Sequence, residues 1–357
     1  MRINIDIFLE EMKTDNMVLS DSYKRKIDYL RLSVTDRCNL RCKYCMPGGG
    51  IRLAGREELL TYEEILRVVK ILGEQGIRKL RLTGGEPLIR DDILELVSGL
   101  SKLKDIEDIS ITTNGILLEK YLEQLHKSGI SSINISLDSL DENNYKQITR
   151  GGDIKKVIKS VNEAVDIGIK RVKVNVVQSS VLKKEDIEGF IGWAIKKPLD
   201  IRFIEMMPVV DIDSVECISG SINKDREQSM INMDQIFSIM ERFGHYTKLD
   251  EKRGFGPAEY YKIKGSRGNI GFIKNDMGSC FYCNRIRITP MGILRLCLFS
   301  DEGLDLKEML RSEFSEKNIK DAIISFIEKK PKDRNSNSSC GPREKSKIPG
   351  FMNKIGG

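Results

Sequence analysis

Residues 38–45 read Cys-Asn-Leu-Arg-Cys-Lys-Tyr-Cys, and residues 83–87 read Thr-Gly-Gly-Glu-Pro. The first segment spaces three cysteines as C-x3-C-x2-C, so that their thiolates can converge on one soft metal centre. Each segment follows a short β-rich run. Further polar segments, Thr112-Thr113-Asn114-Gly115 and Ser136-Leu137-Asp138, follow or end the next two runs. This arrangement predicts chemistry at the carboxyl ends of parallel strands.

Outward from these segments, β-rich runs alternate with amphipathic helical patterns at a spacing of roughly 30 residues, which is typical of βαβ units and a parallel sheet. Six units are too few for a closed eight-stranded barrel, so the α/β pattern predicts a partial, TIM-like (βα)6 barrel. The clearest helix is 62–74, with a capping box at Thr61 and Glu64 and an end at Gly76. The strand candidates are 28–35, 77–83, 107–113, 131–137, 170–178 and 199–206.

Several of these strands alternate between apolar and polar residues. Leu80 and Leu82 alternate with Lys79, Arg81 and Thr83, and similar patterns occur around Asn134 and Lys173. A period of two places each set on one face of the sheet. We expect the apolar face to pack against helices and the polar, cationic face to line a lumen that holds an anionic ligand. The alternative is a sheet with one solvent-exposed face.

A second cysteine group lies near the C-terminus. Cys280, Cys283 and Cys297 are spaced C-x2-C-x13-C. A predicted hairpin of strands 285–289 and 293–298 around Pro290-Met291-Gly292 would return Cys297 to Cys283. We expect an α+β extension here that closes the open side of the barrel. Its other predicted elements are strands 257–264 and 269–274 and helices 233–243, 305–311 and 317–330.

These patterns predict a division of the chain into four parts. They are an N-terminal arm (1–26), the barrel (27–210), a second-cluster domain that includes a polar loop at 211–230 (211–330), and a polar tail (331–357).

Each cysteine group supplies three ligands, whereas a structural zinc site usually has four. The two histidines, His126 and His245, are not near either group in sequence. Two sites that each lack a fourth protein ligand predict iron–sulfur clusters with one open iron. For the second group, the alternative is a zinc site completed by His245 or Cys217. Cys217 and Cys340 are interpreted as ordinary thiols.

Composition narrows the class of protein. The 357 residues are 40% hydrophobic and 31% charged, which predicts a soluble chain with a sizeable core. No apolar run approaches the roughly 18 residues of a membrane span. Four N-terminal carboxylates argue against a secretory signal, so we expect a cytoplasmic protein whose eight cysteines bind metal rather than form disulfides. The net charge of +6 does not separate an anionic small molecule from nucleic acid.

The first cysteine motif followed by GGEP resembles the signature of the radical S-adenosylmethionine (radical SAM) superfamily, and the resemblance covers about residues 27–208. It implies that Cys38, Cys42 and Cys45 hold a [4Fe–4S] cluster. The fourth iron would be chelated by SAM, and an electron from the cluster would release a 5′-deoxyadenosyl radical.

The second cysteine group, the Asn284-Arg285-Ile286-Arg287 segment and the terminal Gly356-Gly357 resemble MoaA-type GTP 3′,8-cyclases. This implies a second [4Fe–4S] cluster on Cys280, Cys283 and Cys297, whose open iron binds guanine. The implied SAM contacts are Tyr44, Gly85, Ser136 and Met207, with Glu86 either a further contact or structural. The implied GTP contacts are Arg31, Arg81, Thr112, Lys173, Arg285, Ile286 and Arg287. The implied catalytic residues are Arg285, Arg287, Gly356 and Gly357.

The resemblance implies a lyase of molybdenum cofactor biosynthesis. The radical would take hydrogen from ribose C3′ of GTP, and attack on guanine C8 would give 3′,8-cyclo-7,8-dihydro-GTP. The implied partners are a reducing electron donor and a downstream cyclic pyranopterin monophosphate synthase. A homodimer is compatible with this reading, and neither nucleic acid nor a membrane is expected. The alternatives are a twin-cluster radical SAM enzyme that modifies a peptide and a zinc-stabilised nucleic-acid-binding protein.

Overall fold

A computed structural model describes residues 18–47, 49–207, 231–250, 256–275, 278–300, 302–333 and 336. Cys217, Cys340, Gly356, Gly357 and the predicted loop at 211–230 lie outside the described residues. The structure therefore does not test what was predicted for them.

Six parallel strands follow one another across the sheet in chain order, as the alternating pattern predicts. Each begins or ends within two residues of its predicted position. They are β1 (Tyr29–Ser33), β2 (Lys79–Thr83), β3 (Asp108–Thr113), β4 (Ser132–Ser136), β5 (Arg171–Gln178) and β6 (Asp200–Glu205).

Helices connect these strands. They are α1 (Tyr62–Glu74), α2 (Ile93–Ser101), α3 (Leu118–Lys127), α4 (Glu142–Thr149), α5 (Ile154–Asp166) and α6 (Lys184–Lys196), with 3-10 turns at Arg56–Glu58 and Pro87–Ile89. The predicted capping box of α1 is confirmed. The Thr61 hydroxyl accepts from the Glu64 N–H at 3.2 Å, and the Glu64 carboxylate accepts from the Thr61 N–H at 2.8 Å. Gly76 follows with a positive φ of 113°.

The C-terminal part extends the same sheet at both of its open edges. Its helices are α7 (Met233–Phe243), α8 (Gly278–Phe281), α9 (Leu306–Arg311) and α10 (Glu316–Glu328). Its strands are β7 (Tyr246–Leu249), β8 (Glu259–Ile263), β9 (Asn269–Ile273), β10 (Arg285–Ile288), β11 (Ile293–Arg295) and β12 (Leu304–Asp305). The strand order β12-β11-β10-β1-β2-β3-β4-β5-β6-β9-β8-β7 places β10 beside β1 and β9 beside β6.

The predicted hairpin is present. β10 and β11 pair antiparallel, with Arg287 opposite Arg295. The turn closes where the Gly292 N–H donates to the Thr289 carbonyl at 3.0 Å, and Gly292 has a φ of +83° that favours glycine. This geometry carries the chain back from Cys283 towards Cys297.

The two faces of the barrel strands differ as predicted. Leu80, Leu82 and Val174 are fully buried and belong to one core shared with the helices. The opposite face carries Arg81, Asn134, Lys173 and others. This polar face is the wall of the functional cavity.

Candidate active site

One cavity of about 350 Å³ brings the two cysteine groups together. That volume is in the range of small-molecule sites. Its lining includes all six of these cysteines, the loops after β2 and β3, and the polar side chains of the barrel strands. Segments separated by more than 250 residues thus meet at the carboxyl ends of β1–β6.

The first cysteine loop is fixed by backbone contacts to the end of α4. The Arg41 and Lys43 N–H groups donate to the carbonyls of Thr149 and Ile148, at 3.2 and 2.9 Å. Arg150 donates to the carbonyls of Arg41 and Met46, at 2.8 and 2.9 Å. Cys42 and Cys45 are therefore presented from a loop whose main chain is fixed by the end of α4 and by the Arg150 side chain.

The glycines of the GGEP segment permit a close approach to the end of β1. A Cβ on Gly84 would lie 2.7 Å from the Thr35 carbonyl oxygen, and one on Gly85 would lie 2.2 Å from the Arg37 carbonyl oxygen. In this contact the Gly85 N–H donates to the Thr35 carbonyl at 2.7 Å. Only residues without a side chain allow the two loops to pack this way.

We therefore expect Gly85→Ala to destabilise the protein by about 1–3 kcal/mol, because a backbone atom cannot move aside as a flexible side chain can. Urea unfolding and equilibrium SAM binding would measure the effect. Gly192→Ala is the matched control, since a Cβ there meets nothing within 4 Å and Gly192 lies inside α6. Unchanged stability and SAM affinity in Gly85→Ala would contradict the close approach.

The Glu86 carboxylate is engaged by protein donors. It accepts from the Leu88 N–H at 3.0 Å, the Thr113 hydroxyl at 2.8 Å and the Asn114 N–H at 2.7 Å. Glu86 is buried and is not among the cavity-lining residues. Burial raises its pKa to about 7. Of the two readings of Glu86, the geometry favours the structural one, which joins the loops after β2 and β3.

The other predicted SAM contacts, Tyr44, Gly85, Ser136 and Met207, all line the cavity. The Tyr44 hydroxyl donates to Asp138 at 2.7 Å, and Asp138 also accepts from the Val177 N–H at 2.8 Å. Burial raises the pKa of Asp138 to about 6. Tyr44 is thus held beside the first cysteine group by a carboxylate that the sequence analysis did not select.

All six of these cysteines are free thiols of intermediate exposure. Among the described residues, no three His, Cys, Asp or Glu side chains form a site for a single metal ion. Two sets of three soft thiolate donors, with no fourth cysteine beside either set among the described residues, fit clusters that keep one iron open, and both sets face the same cavity.

Cations of neighbouring strands lie side by side in the cavity that both cysteine groups line. Arg31 is directly opposite Arg81 on β2 and Arg287 on β10. Burial, and then repulsion from Arg287 and Arg81, lowers the pKa of Arg31 well below its usual value. Burial, and then repulsion from Arg285, lowers the pKa of Arg287 to about 10. Arg31, Arg81 and Arg287 thus form a cationic wall, a surface of the cavity with concentrated positive charge.

Two further cations act on this wall from across the barrel. Arg202, which the sequence analysis missed, lines the cavity and donates to Asn175 at 2.8 Å and Asn134 at 2.5 Å. Lys173 is buried but is not among the lining residues, and burial followed by repulsion from Arg202 lowers its pKa to about 7. The sequence signal for Arg202 was the alternation of β6, which places this residue on the polar face of the sheet. There Arg202 is the direct cross-strand neighbour of Asn175.

Thr112 and Ile286 complete the predicted GTP contacts. Thr112 lines the cavity, and its buried hydroxyl has no hydrogen-bond partner among the described residues. A ligand that reaches it would satisfy that group. The Ile286 side chain is fully buried in the core, so only its backbone is left for a ligand contact.

Comparison with known proteins identifies the family. A family model described as "Radical SAM superfamily" matches residues 32–194, and one described as "Molybdenum Cofactor Synthesis C" matches residues 199–336. A GTP 3′,8-cyclase from Thermodesulfovibrio yellowstonii is 43% identical over 316 residues, which cover 88% of this chain and 94% of that protein. The chain belongs to the GTP 3′,8-cyclase family.

Other members of the GTP 3′,8-cyclase family show the same similarity. The enzyme from Alkaliphilus oremlandii is 41% identical over 88% of this chain and 93% of its own length. That from Clostridium perfringens strain SM101 is 39% identical over 95% of this chain and all of its own length. The family uses SAM and two [4Fe–4S] clusters, in agreement with the cofactors predicted from the sequence.

A solved structure supports the fold. Streptococcus suis SuiB superposes with a TM-score of 0.59 at 15% identity, covering 92% of this chain and 70% of that one. In the form bound to S-adenosylmethionine, the TM-score is again 0.59, with 14% identity and coverage of 92% and 76%. At this identity the likeness concerns the fold alone. In the described part of the chain, no helix combines the length and apolar character that crossing a membrane requires.

Proposed function

We propose that the protein is a GTP 3′,8-cyclase, a lyase that converts GTP to 3′,8-cyclo-7,8-dihydro-GTP in molybdenum cofactor biosynthesis. The observation that carries the proposal is the buried cationic wall between two cysteine groups in one cavity. Among the described residues that line this cavity, Asp138 is the only carboxylate, and it is already engaged by Tyr44. Such an excess of positive charge favours a polyanionic substrate.

Cys38, Cys42 and Cys45 would hold the first cluster, with SAM beside Tyr44, Gly85, Ser136 and Met207. When bound, this cluster and SAM supply the carbon radical that removes hydrogen from C3′ of GTP. Cys280, Cys283 and Cys297, which line the same cavity, would hold the second cluster, and its open iron would anchor the purine. The chain's own contribution is to hold GTP between the two groups and exclude water.

Arg31, Arg81, Arg285, Arg287 and Lys173 are proposed to bind GTP, together with Thr112 and the Ile286 backbone. The planar forks of Arg285 and Arg287 suit phosphate oxygens. Burial lowers the pKa of Arg285, but Cys283, Tyr29 and Cys297 together raise it above the usual value, so Arg285 also belongs to the environment of the second cysteine group. Arg287 and Arg31 are accordingly the preferred candidates for binding the triphosphate.

The proposal extends to the predicted partners and domains. The product would pass to a cyclic pyranopterin monophosphate synthase, a reducing electron donor would supply the electron, and a homodimer stays a prediction. The division into residues 1–26, 27–210, 211–330 and 331–357 is also proposed, as is the catalytic role of Gly356 and Gly357.

Anaerobic incubation of the reconstituted protein with GTP, SAM and dithionite tests the function directly. We expect 5′-deoxyadenosine and a cyclised nucleotide to form together, and neither to form without SAM. Formation of 5′-deoxyadenosine without any cyclised nucleotide, although GTP is present, would contradict the proposal. It would favour another substrate, such as a peptide.

Lys173 predicts how GTP binding depends on pH. Its pKa of about 7 in the free protein means that the amine is neutral above pH 7. A bound triphosphate favours the ammonium, so binding takes up a proton above pH 7 but not below it. We expect the association constant to fall as the pH rises from 7 to 9, by up to about tenfold per pH unit. Anaerobic equilibrium binding across this range would measure it.

Lys173→Arg is the matched control, because arginine stays protonated throughout this range. Lys173→Arg should make the association constant of GTP nearly independent of pH between 7 and 9, while the affinity for GTP at pH 7 is kept. An equally steep slope in Lys173→Arg would assign the dependence to another group.

A further inference from the structure

The second cysteine group lies over two buried cations from opposite ends of the described chain. Arg25 belongs to the N-terminal segment 18–28, and Lys330 follows α10 by two residues. Their exposed fractions are 8% and 2%. Neither lines the cavity, and neither is among the proposed substrate contacts. Buried charges need close partners, and those partners indicate what each cation does.

Arg25 holds the first cysteine of this group. Its guanidinium donates to the carbonyl of Cys280 at 2.8 Å and to those of Lys332 and Pro331 at 2.8 and 2.6 Å. Its Nε pairs with the buried Asp21 at 2.5 Å. One side chain therefore connects the N-terminal segment, the Cys280 backbone and the segment after α10.

Lys330 holds the two strands that lead to the other cysteines. Its Nζ donates to the Arg285 carbonyl at 2.8 Å and also to the Leu296 carbonyl. Arg285 is two residues after Cys283, and Leu296 directly precedes Cys297. The described β10–β11 pairing runs from Ile288 to Arg287 and stops there. The Lys330 ammonium thus joins the two strands of the hairpin just beyond the last paired residues of β10 and β11.

Burial lowers the pKa of Lys330, while negative charge on the nearby Cys283 and Cys297 acts in the opposite direction and favours the ammonium. A cluster with three thiolate ligands carries net negative charge, and gaining an electron makes that charge more negative. A positive charge fixed nearby in a buried environment stabilises the reduced form and raises the reduction potential.

We propose that Lys330 is a positioning residue for the second cluster, which it serves by joining the Cys283 and Cys297 strands and by fixing a positive charge beside them. Arg25 and Asp21 complete this support at Cys280. The inference rests on the proposed function only in assuming that this cysteine group holds a [4Fe–4S] cluster.

The test measures the reduction potential of the second cluster alone, in full-length protein that carries Cys42→Ser to remove the signal of the first. Anaerobic titration followed by electron paramagnetic resonance would compare Lys330→Met, Lys330→Arg and the control Lys329→Met, since Lys329 is the exposed neighbour. We expect Lys330→Met to lower the equilibrium constant for reduction of the cluster by on the order of tenfold. This corresponds to a reduction potential about 59 mV lower for a one-electron step. Lys330→Arg and Lys329→Met should stay near the parent value.

An unchanged potential in Lys330→Met with full iron content would overturn the proposal, as would an equal shift in Lys330→Arg. If Lys330→Met fails to retain the cluster, recovery of iron in Lys330→Arg supports the role, and loss in both variants overturns it. Neither GTP nor SAM enters the measurement. If the potential shifts as expected while the protein with an intact Cys42 does not cyclise GTP, the proposed function is refuted and this inference stands.

Discussion

Cys42→Ser is expected to abolish all cleavage of SAM, and with it all cyclisation of GTP. Cys42 lies at the centre of the loop after β1, and its carbonyl accepts from the N–H groups of Cys45 and Met46, both at 3.0 Å. Because the serine hydroxyl is a poor ligand for soft iron, the first cluster should be lost. Iron content should fall from about eight to about four atoms per chain. Retained 5′-deoxyadenosine formation would remove this loop from the SAM site.

Cys297→Ser is the matched variant in the second cysteine group, which lines the same cavity. It should also lose about four iron atoms and the cyclic product, yet retain slow reductive cleavage of SAM. Cleavage needs only the first cluster, SAM and a reductant, whereas cyclisation also needs C3′ held close to the radical. Chromatography that quantifies 5′-deoxyadenosine and cyclised nucleotide separately distinguishes these outcomes. No 5′-deoxyadenosine from Cys297→Ser with its first cluster intact would contradict the division of labour.

Arg287→Ala is expected to weaken GTP binding roughly ten- to hundredfold while SAM binding changes little. The substitution removes a charge-assisted contact worth roughly 1.5–3 kcal/mol. Arg287 also lies beside Arg31 and Arg295 on neighbouring strands, so its removal relieves repulsion in the free protein. We therefore expect thermal stability to be retained. Lower affinity without lower stability is typical of a residue kept for binding rather than for folding.

Anaerobic equilibrium binding of GTP and of SAM, with thermal unfolding in parallel, would measure this. Arg285→Ala should lower GTP affinity similarly. The control is Arg242→Ala, which breaks a surface pair with Glu188 on a different face. A GTP affinity unchanged in both Arg285→Ala and Arg287→Ala would return the pair to a structural role.

The sequence predicted the features whose signals are local. Cysteine spacing, the GGEP glycines and the period-two alternation of β1–β6 each depend on neighbouring residues, so they indicated the ligand sets, the partial barrel and its cationic face. The turn at Pro290-Met291-Gly292 likewise predicted the hairpin that returns Cys297. The family resemblance then supplied the reaction, which no spacing could specify.

Features that depend on pairing at a distance were missed. β7 was not predicted, because Tyr246–Leu249 is a four-residue edge strand that exists through its pairing with β8 and through stacking of Tyr246 on Phe237 at 5.7 Å. Arg202 reads as an ordinary charge within β6 until the neighbouring Asn175 and Asn134 orient it.

Glu86 and Lys330 show the same division between sequence and structure. The sequence determined that a carboxylate follows Gly85, and it placed Lys330 at the end of the last predicted helix, 317–330. Only the tertiary structure decided that Glu86 joins two loops and that Lys330 lies beneath the second cysteine group. The physical reason is that a buried charge takes its role from the partners that satisfy it, and here those partners come from other strands and from residues up to 45 positions away.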